Sequence, residues 1–96
     1  MYDDDESAPK QQEEARLLLE SQDADLREIL DRGAGRRVLW RLLEHAGVFR
    51  SAFSADPYAT AFNEGRRSSG LFLLNEVERA SPGALGAMMK EFSDER

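Results

Sequence analysis

Positions 62–74 of the chain read FNEGRRSSGLFLL, and this stretch lies in the middle of the longest helix that the sequence predicts. The helix is expected to begin at Asp56-Pro57, because aspartate is a preferred N-cap residue and proline is favoured at the first helical position. Apolar residues then recur at helical spacing along the segment. The sequence therefore predicts one uninterrupted helix from Pro57 to about Ala80.

Two glycines lie inside this predicted helix. Gly65 and Gly70 each cost about 1 kcal/mol relative to alanine in a helix interior, so their presence needs a physical reason. A glycine lets a neighbouring backbone or a large ring come close, and the rings of Trp40 and Phe53 are the candidates. We therefore predict that both glycines are helix-packing residues rather than parts of a ligand site.

The segments before this helix are predicted to form further helices. Residues 10–21 have a helical composition, and residues 24–32 carry an apolar face at helical spacing. A Gly-Ala-Gly break at residues 33–35 separates these segments from a strongly apolar helix over residues 36–46. Gly47 is expected to end that helix, since glycine is the usual residue just past a helix C-terminus.

The segment after Ser81-Pro82 is predicted to be a last short helix, and no part of the chain shows the period-two alternation typical of half-buried strands. The predicted fold class is all-α, a small bundle of four to five helices. Residues 10–96 form a single helical domain in this prediction. Residues 1–9, which are acidic and lack apolar periodicity, are predicted to be a disordered acidic N-terminal tail.

Charge is distributed unevenly along the chain, whose net charge is −6. Residues 1–31 hold eleven acidic and three basic residues, whereas residues 32–79 hold eight arginines and five acidic residues. The acidic segment and the basic centre are expected to attract each other, either within one chain or between two copies of it. A homo-oligomer is therefore one alternative. Nucleic acid is not the favoured partner, because an acidic protein repels its phosphates.

No arrangement of residues typical of a catalytic, cofactor or metal site occurs in the sequence. The chain has no cysteine and lacks the glycine patterns of nucleotide-binding loops. His45, the single histidine, has no carboxylate at helical spacing, and the acidic triplet at residues 3–5 lacks the spacing of a calcium loop. The sequence therefore predicts a protein that is not an enzyme and has no catalytic residue, no cofactor and no metal.

Six residues are candidates for contact with a partner: Arg36, Arg37, Trp40, Arg41, Arg66 and Arg67. Arginine presents a planar fork of donors to carboxylate or phosphate groups, and tryptophan and arginine are enriched at protein interfaces. The alternative is that the arginines form local ion pairs on solvated helix faces and that the tryptophan belongs to the core. Adjacent arginines are expected to point apart, one toward another helix and one toward solvent or a partner.

Several ordered motifs of this chain resemble one protein family. They are DLR at 25–27, GRRVLWRLLE at 35–44, AGVFRS at 46–51, TAF at 60–62, EGRR at 64–67 and GL at 70–71. Over residues 24–80 the chain resembles the Bbp-type family of small tailed-phage proteins, first named from a short-tailed Bordetella phage. The resemblance implies a phage or prophage protein encoded in the late, virion-building region. It carries over no catalytic or binding residues.

The residues and the resemblance together predict a non-enzymatic virion-associated or assembly protein, a small helical module that docks on portal, tail or internal core proteins. Two alternatives stay open. One is a DNA-linked regulator or packaging accessory, with residues 24–46 as a helix-turn-helix, and the other is an acidic inhibitor of a host enzyme. The expected location is the virion or the host cytoplasm, since no apolar run reaches the roughly 20 residues of a membrane span and no secretory signal begins the sequence.

Overall fold

The fold is all-α, as the sequence predicts. The computed structural model describes the backbone of residues 2–93 and the side chains of residues 7–93. Over these residues the chain forms four α-helices and no strands: α1 (Tyr2–Leu30), α2 (Gly33–Ala46), α3 (Pro57–Ala80) and α4 (Ala84–Ser93). The number of helices is within the predicted four to five.

The core consists of two small clusters of buried apolar side chains around α2 and α3. The first cluster joins all four helices and contains Leu30, Leu39, Val77, Met88 and Phe92. The second lies at the C-terminal end of α2 and contains Leu43, Ala46 and Val48. Full burial of one such large side chain contributes about 1.5–3 kcal/mol, so these few contacts carry much of the stability of the chain.

Helix α1 differs from the prediction, because residues 10–32 do not form two separated helical segments but belong to one continuous helix up to Leu30. It begins at Tyr2 and runs through Pro9. Once one turn has formed, each further residue adds a hydrogen bond at little nucleation cost. Met1 lies outside the described residues.

Residues 8–22 of α1 are exposed all round, and we call them the projecting arm. Leu17, Leu18 and Leu19 of this arm are 51%, 61% and 41% exposed. An ion pair between Arg16 and Glu20 at 2.6 Å supports the helix locally. The packed part of α1 follows the arm, so within one copy the arm has no neighbouring helix to cover its leucines.

A close crossing at Gly35 replaces the predicted Gly-Ala-Gly break. α2 begins at Gly33, three residues earlier than predicted, and a Cβ atom at Gly35 would lie only 2.1 Å from the carbonyl oxygen of Ile29. The glycine therefore lets the first turn of α2 touch the last turn of α1. At the other end, Gly47 ends α2 in the left-handed conformation with φ 79°, which confirms the predicted helix end.

Helix α3 begins and ends as predicted, with Asp56 Oδ1 accepting a hydrogen bond from the Tyr58 amide at 3.0 Å. The prediction for its glycines is half right. A Cβ atom at Gly70 would lie 2.5 Å from the Cβ atom of Ala46, so Gly70 permits close packing. Its neighbours are Ala46 and Val48, however, and not the predicted rings of Trp40 and Phe53.

Gly65 is not a packing residue, because nothing lies within 4 Å of a Cβ atom placed on it. Five residues along an α-helix correspond to a rotation of about 140°, so Gly65 and Gly70 cannot both face the body of the protein. Gly65 lies on the outward side of α3, where Phe62 and Phe72 are each 67% exposed. The two glycines of α3 therefore lie in different environments, Gly70 against α2 and Gly65 at the surface.

Helix α4 is held at its N-terminus by a side chain from α3. Glu78 accepts hydrogen bonds from the amides of Gly83 and Leu85, at 3.1 and 2.8 Å. These amides belong to the first turn, where no intrahelical acceptor exists. The cap of α4 is thus a carboxylate from the preceding helix, which spacing along the sequence alone does not reveal.

Candidate partner-binding site

The six predicted contact residues do not form one face in the structure. Arg36 is hydrogen-bonded to other parts of the same chain. Its Nε atom donates to Glu91 Oε1 at 2.9 Å and its Nη1 atom donates to the Leu30 carbonyl at 2.8 Å. These bonds tie α2 to α4 and α1. The hydrogen bond from Arg36 holds the pKa of the Glu91 carboxyl below its usual range, so the pair stays ionised at neutral pH.

Arg37 and Arg41 lie exposed on α2. The positive charge of Arg37 adds to that of Arg36 in lowering the pKa of Glu91. Exposed arginines of this kind contribute little to stability. They are free to meet a partner, but no other part of the described chain converges on them to build a cavity.

Trp40 is half-buried and forms the floor of a cleft of about 680 Å³, which we call the tryptophan cleft. Its ring packs against the rings of Phe49 and Phe92, with centroids 5.0 and 5.5 Å away. The seven lining residues are Trp40, Glu44, His45, Phe49, Arg50, Met89 and Ser93. The cleft therefore has an aromatic centre with a polar rim, and Trp40 belongs partly to the core and partly to the surface.

Arg66 and Arg67 line a second cavity of about 120 Å³ together with Arg50, and we call it the arginine pocket. Its remaining walls are Ala46, Gly47, Ser51, Ala52 and Asn63. Arg66 and Arg67 are both half-buried and both line this pocket, so neither is left wholly to solvent. Their long flexible stems can cover apolar surface, although their Cα atoms are about 100° apart around the helix.

The arginine pocket contains polar atoms without partners. The Nε atoms of Arg66 and Arg67 are buried, and neither has a hydrogen-bond acceptor among the described residues. Arg66 also lies over the ring of Phe62, 5.5 Å from its centroid. Buried donors are normally hydrogen-bonded, and leaving one unpaired costs about 1–3 kcal/mol. The two Nε atoms are out of reach of solvent, so an acceptor from outside the molecule would meet the outer nitrogen atoms of the same two guanidinium groups.

Arg50 is the functional candidate that the sequence analysis missed, and it lines both the tryptophan cleft and the arginine pocket. Its Nη2 atom donates to the Glu44 carbonyl at 3.3 Å. The residue lies in the turn after Gly47, where helical periodicity no longer predicts direction. Gly47 was the signal in the sequence that could have identified Arg50. The chain turns back at this glycine and places Arg50 against the end of α2.

The predicted meeting of acidic segment and basic centre occurs at one place in the described structure. Arg79 of α3 donates to Asp23 Oδ1 at 2.8 Å and also pairs with Glu76. These bonds lower the pKa of the Asp23 carboxyl and raise that of Arg79. The arginine pocket does not take part, so its positive charge is not matched by the acidic segment of the same chain.

The chain was also compared with known proteins. A family described as Bbp19-like phage protein matches residues 15–90. The chain belongs to this family. The match confirms the resemblance that the motifs indicated and extends it from residues 24–80 to part of the projecting arm and most of α4. Neither the curated proteins nor the solved structures contain a match.

The region shared with the Bbp19-like phage proteins includes both cavities, since residues 40–89 supply every lining residue except Ser93. The described helices include none that is long and apolar enough to cross a membrane. The described residues also contain no group of three or more histidine, cysteine or acidic side chains arranged to hold a metal ion.

Proposed function

We propose that this phage protein is a non-enzymatic virion-associated or assembly factor. It docks on a phage structural protein of the portal, the tail or the internal core. The docking face consists of the tryptophan cleft and the arginine pocket. Family membership supports the phage context, and the geometry of the two cavities supports the docking role.

The observation that carries this proposal is the position of Arg50, which borders both cavities and makes them one continuous surface. That surface combines a half-buried tryptophan with three arginines. Tryptophan and arginine dominate the binding energy of protein interfaces, and they act best when an apolar centre is surrounded by a polar rim. The tryptophan cleft has that composition, and a volume of about 680 Å³ accommodates the side chains of a partner segment.

The projecting arm supplies a second contact in this proposal. Three consecutive leucines are exposed on the projecting arm, the part of α1 that no other described helix covers. A short isolated helix is marginally stable in water, and most helix stability in proteins comes from packing. A partner that covers the leucines would stabilise the arm, so docking and full ordering of α1 are expected to occur together.

The proposal is tested with phage particles that carry Arg66→Ala and Arg67→Ala together. We expect mass spectrometry of purified virions to show loss of the chain, whereas wild-type virions contain it at a defined copy number. Circular dichroism of the purified variant should show unchanged helicity. The matched control is the pair Arg32→Ala and Lys90→Ala, which removes the same charge from exposed positions outside both cavities. Normal incorporation of the pocket variant, or absence of the chain from wild-type virions, contradicts the proposal.

The DNA-linked alternative is separated by a mobility shift at low and moderate salt, because phosphate contacts are strongest at low ionic strength. In the helix-turn-helix form of this alternative, Arg36 would contact DNA from the start of α2. In the structure Arg36 is hydrogen-bonded to Glu91 instead. The face of α2 that carries Leu39 and Leu43 is also buried in the core. Retarded DNA at low salt with wild-type chain would favour this alternative over docking.

A further inference from the structure

We propose that the arginine pocket binds one carboxylate side chain of an acidic partner segment, held by Arg50, Arg66 and Arg67. The inference rests on the proposed function, because it names the chemistry of the partner at the same docking face. It adds a defined ligand group to that face and assigns a role to Arg50.

The size of the pocket selects a small group. Its volume of about 120 Å³ corresponds to about four water molecules at roughly 30 Å³ each. A carboxylate with its terminal methylene fits this space. The pocket is therefore suited to the end of an aspartate or glutamate side chain.

The donors of the pocket match an acceptor-only group. Arg66 and Arg67 line the pocket and form no ion pair with another described residue, and an ionised carboxylate accepts hydrogen bonds without donating any. The Oγ atom of Ser51 accepts from the Phe53 amide at 3.1 Å, so its own proton is left to donate. Two arginine forks and a hydroxyl can thus surround both oxygens of one carboxylate, and arginine binds that group bidentately.

Electrostatics favour a carboxylate over a phosphate polymer. Three guanidinium groups line the pocket and outweigh the partial negative charge at the C-terminal end of α2, which is about half an elementary charge. The chain as a whole has a net charge of −6. A polyanion such as nucleic acid would meet this unfavourable field along its length, whereas a single carboxylate meets mainly the three guanidinium groups.

The experiment measures the Nε–Hε resonances of arginine by ¹H–¹⁵N NMR in the full chain. Hexaglutamate is the probe, inorganic phosphate is the second probe, and chloride at matched ionic strength is the blank. We expect hexaglutamate to shift the resonances of Arg66 and Arg67 in a saturable manner. Tighter binding of phosphate than of hexaglutamate, or no saturable shift, would overturn the assignment.

Variants test the site directly. Arg50→Gln and Arg67→Gln should each weaken hexaglutamate binding by about tenfold or more, since each removes a hydrogen bond to a charged group. Arg32→Gln has the same charge change outside the pocket and should alter binding less than about twofold. Equal losses in all three variants would show general charge attraction and contradict the site. Backbone amide spectra verify that each variant is folded, and Arg67→Lys, which keeps the charge but lacks Nε–H, should also lose affinity.

The outcome is distinguishable from that of the virion experiment. If the chain is incorporated into particles but hexaglutamate does not bind, the carboxylate assignment fails and the docking function stands. If hexaglutamate binds with the expected variant pattern but virions lack the chain, the pocket stands and the assembly function fails.

Discussion

The tripeptide Gly-Arg-Arg occurs twice in this chain, and the structure uses its two copies in opposite ways. In the copy at residues 35–37, the glycine is crossed closely by Ile29 and the first arginine is bound to Glu91. In the copy at residues 65–67, the glycine is open to its surroundings and both arginines have a buried Nε atom without a partner.

The difference teaches that the local sequence does not determine the use of these residues. The first copy lies where α2 crosses α1, and α4 brings a carboxylate within reach of it. The second copy lies in the middle of the long helix α3. The ion pairs among the described residues are formed by Arg16, Arg36 and Arg79, so neither arginine of the second copy takes part in one. One copy stabilises the fold, whereas the other remains available for binding.

The largest difference is expected between the two glycines. Gly35→Ala should lower the free energy of unfolding by about 3 kcal/mol, because the new Cβ atom would meet backbone at 2.1 Å and the two helices would have to separate. Gly65→Ala should raise it by about 0.5–1 kcal/mol, because alanine is the better helix former and the space is open. Urea unfolding followed by circular dichroism measures both. Equal effects of the two substitutions would remove the structural distinction between the copies.

A smaller effect is expected from the cap of α4, the helix that carries the partner of Arg36. Glu78→Ala should lower the free energy of unfolding by about 1 kcal/mol, because the amides of Gly83 and Leu85 lose their acceptor. Glu64→Ala removes the same charge from an exposed position of α3 and is the control. If the two substitutions have the same effect in urea unfolding, the carboxylate does not act as a cap.

The arginines should differ in the same direction as the glycines. Arg36→Gln should lower the thermal unfolding midpoint, because the contacts with Glu91 and with the Leu30 carbonyl are lost. Arg67→Gln should leave the midpoint unchanged or raise it slightly, since its Nε atom has no partner to lose. A double-mutant cycle with Glu91→Gln shows whether the first effect comes from the ion pair. A larger loss for Arg67→Gln than for Arg36→Gln would reverse the comparison.

The smallest effect is a pH dependence of the first copy. The pKa of Glu91 is lower in the folded chain than in the unfolded chain, so its contribution is present above the ordinary glutamate pKa. That contribution is lost as the pH falls through the lowered value. The difference in stability between wild type and Glu91→Gln should therefore be largest near pH 7 and shrink toward pH 3. A difference that stays constant over this range would mean that the ion pair does not stabilise the fold.

The sequence predicted correctly those helix ends that are set by residues close together in the chain. The ends of α3 and the end of α2 at Gly47 were predicted correctly, because Asp56-Pro57 and a terminal glycine act within a few residues. The continuity of α1 was missed, since the polar composition of residues 10–25 indicates where apolar packing is absent but not where a helix stops. The joint between α1 and α2 was missed because Gly35 serves a contact with Ile29 on another helix.

The site was only partly predictable for the same reason. Four of the six predicted residues can still contact a partner. Arg37 and Arg41 are exposed on α2, and Arg66 and Arg67 line the arginine pocket. Trp40 divides its ring between core and cleft, and Arg36 is already bound. Which arginine meets a carboxylate depends on the crossing of α2 and α4, and that geometry is not encoded in the spacing of residues along either helix.

The length of α1 has a geometrical consequence. Its 29 residues correspond to a rod of about 44 Å, and the projecting arm accounts for roughly half of that length. The rod is fastened at one end, where Gly35 sets the angle at which α2 leaves it. A rotation of about 10° at this joint would move the far tip by about 8 Å, given the helix rise. The smallest residue at the joint thus fixes the direction in which the longest element of the molecule reaches.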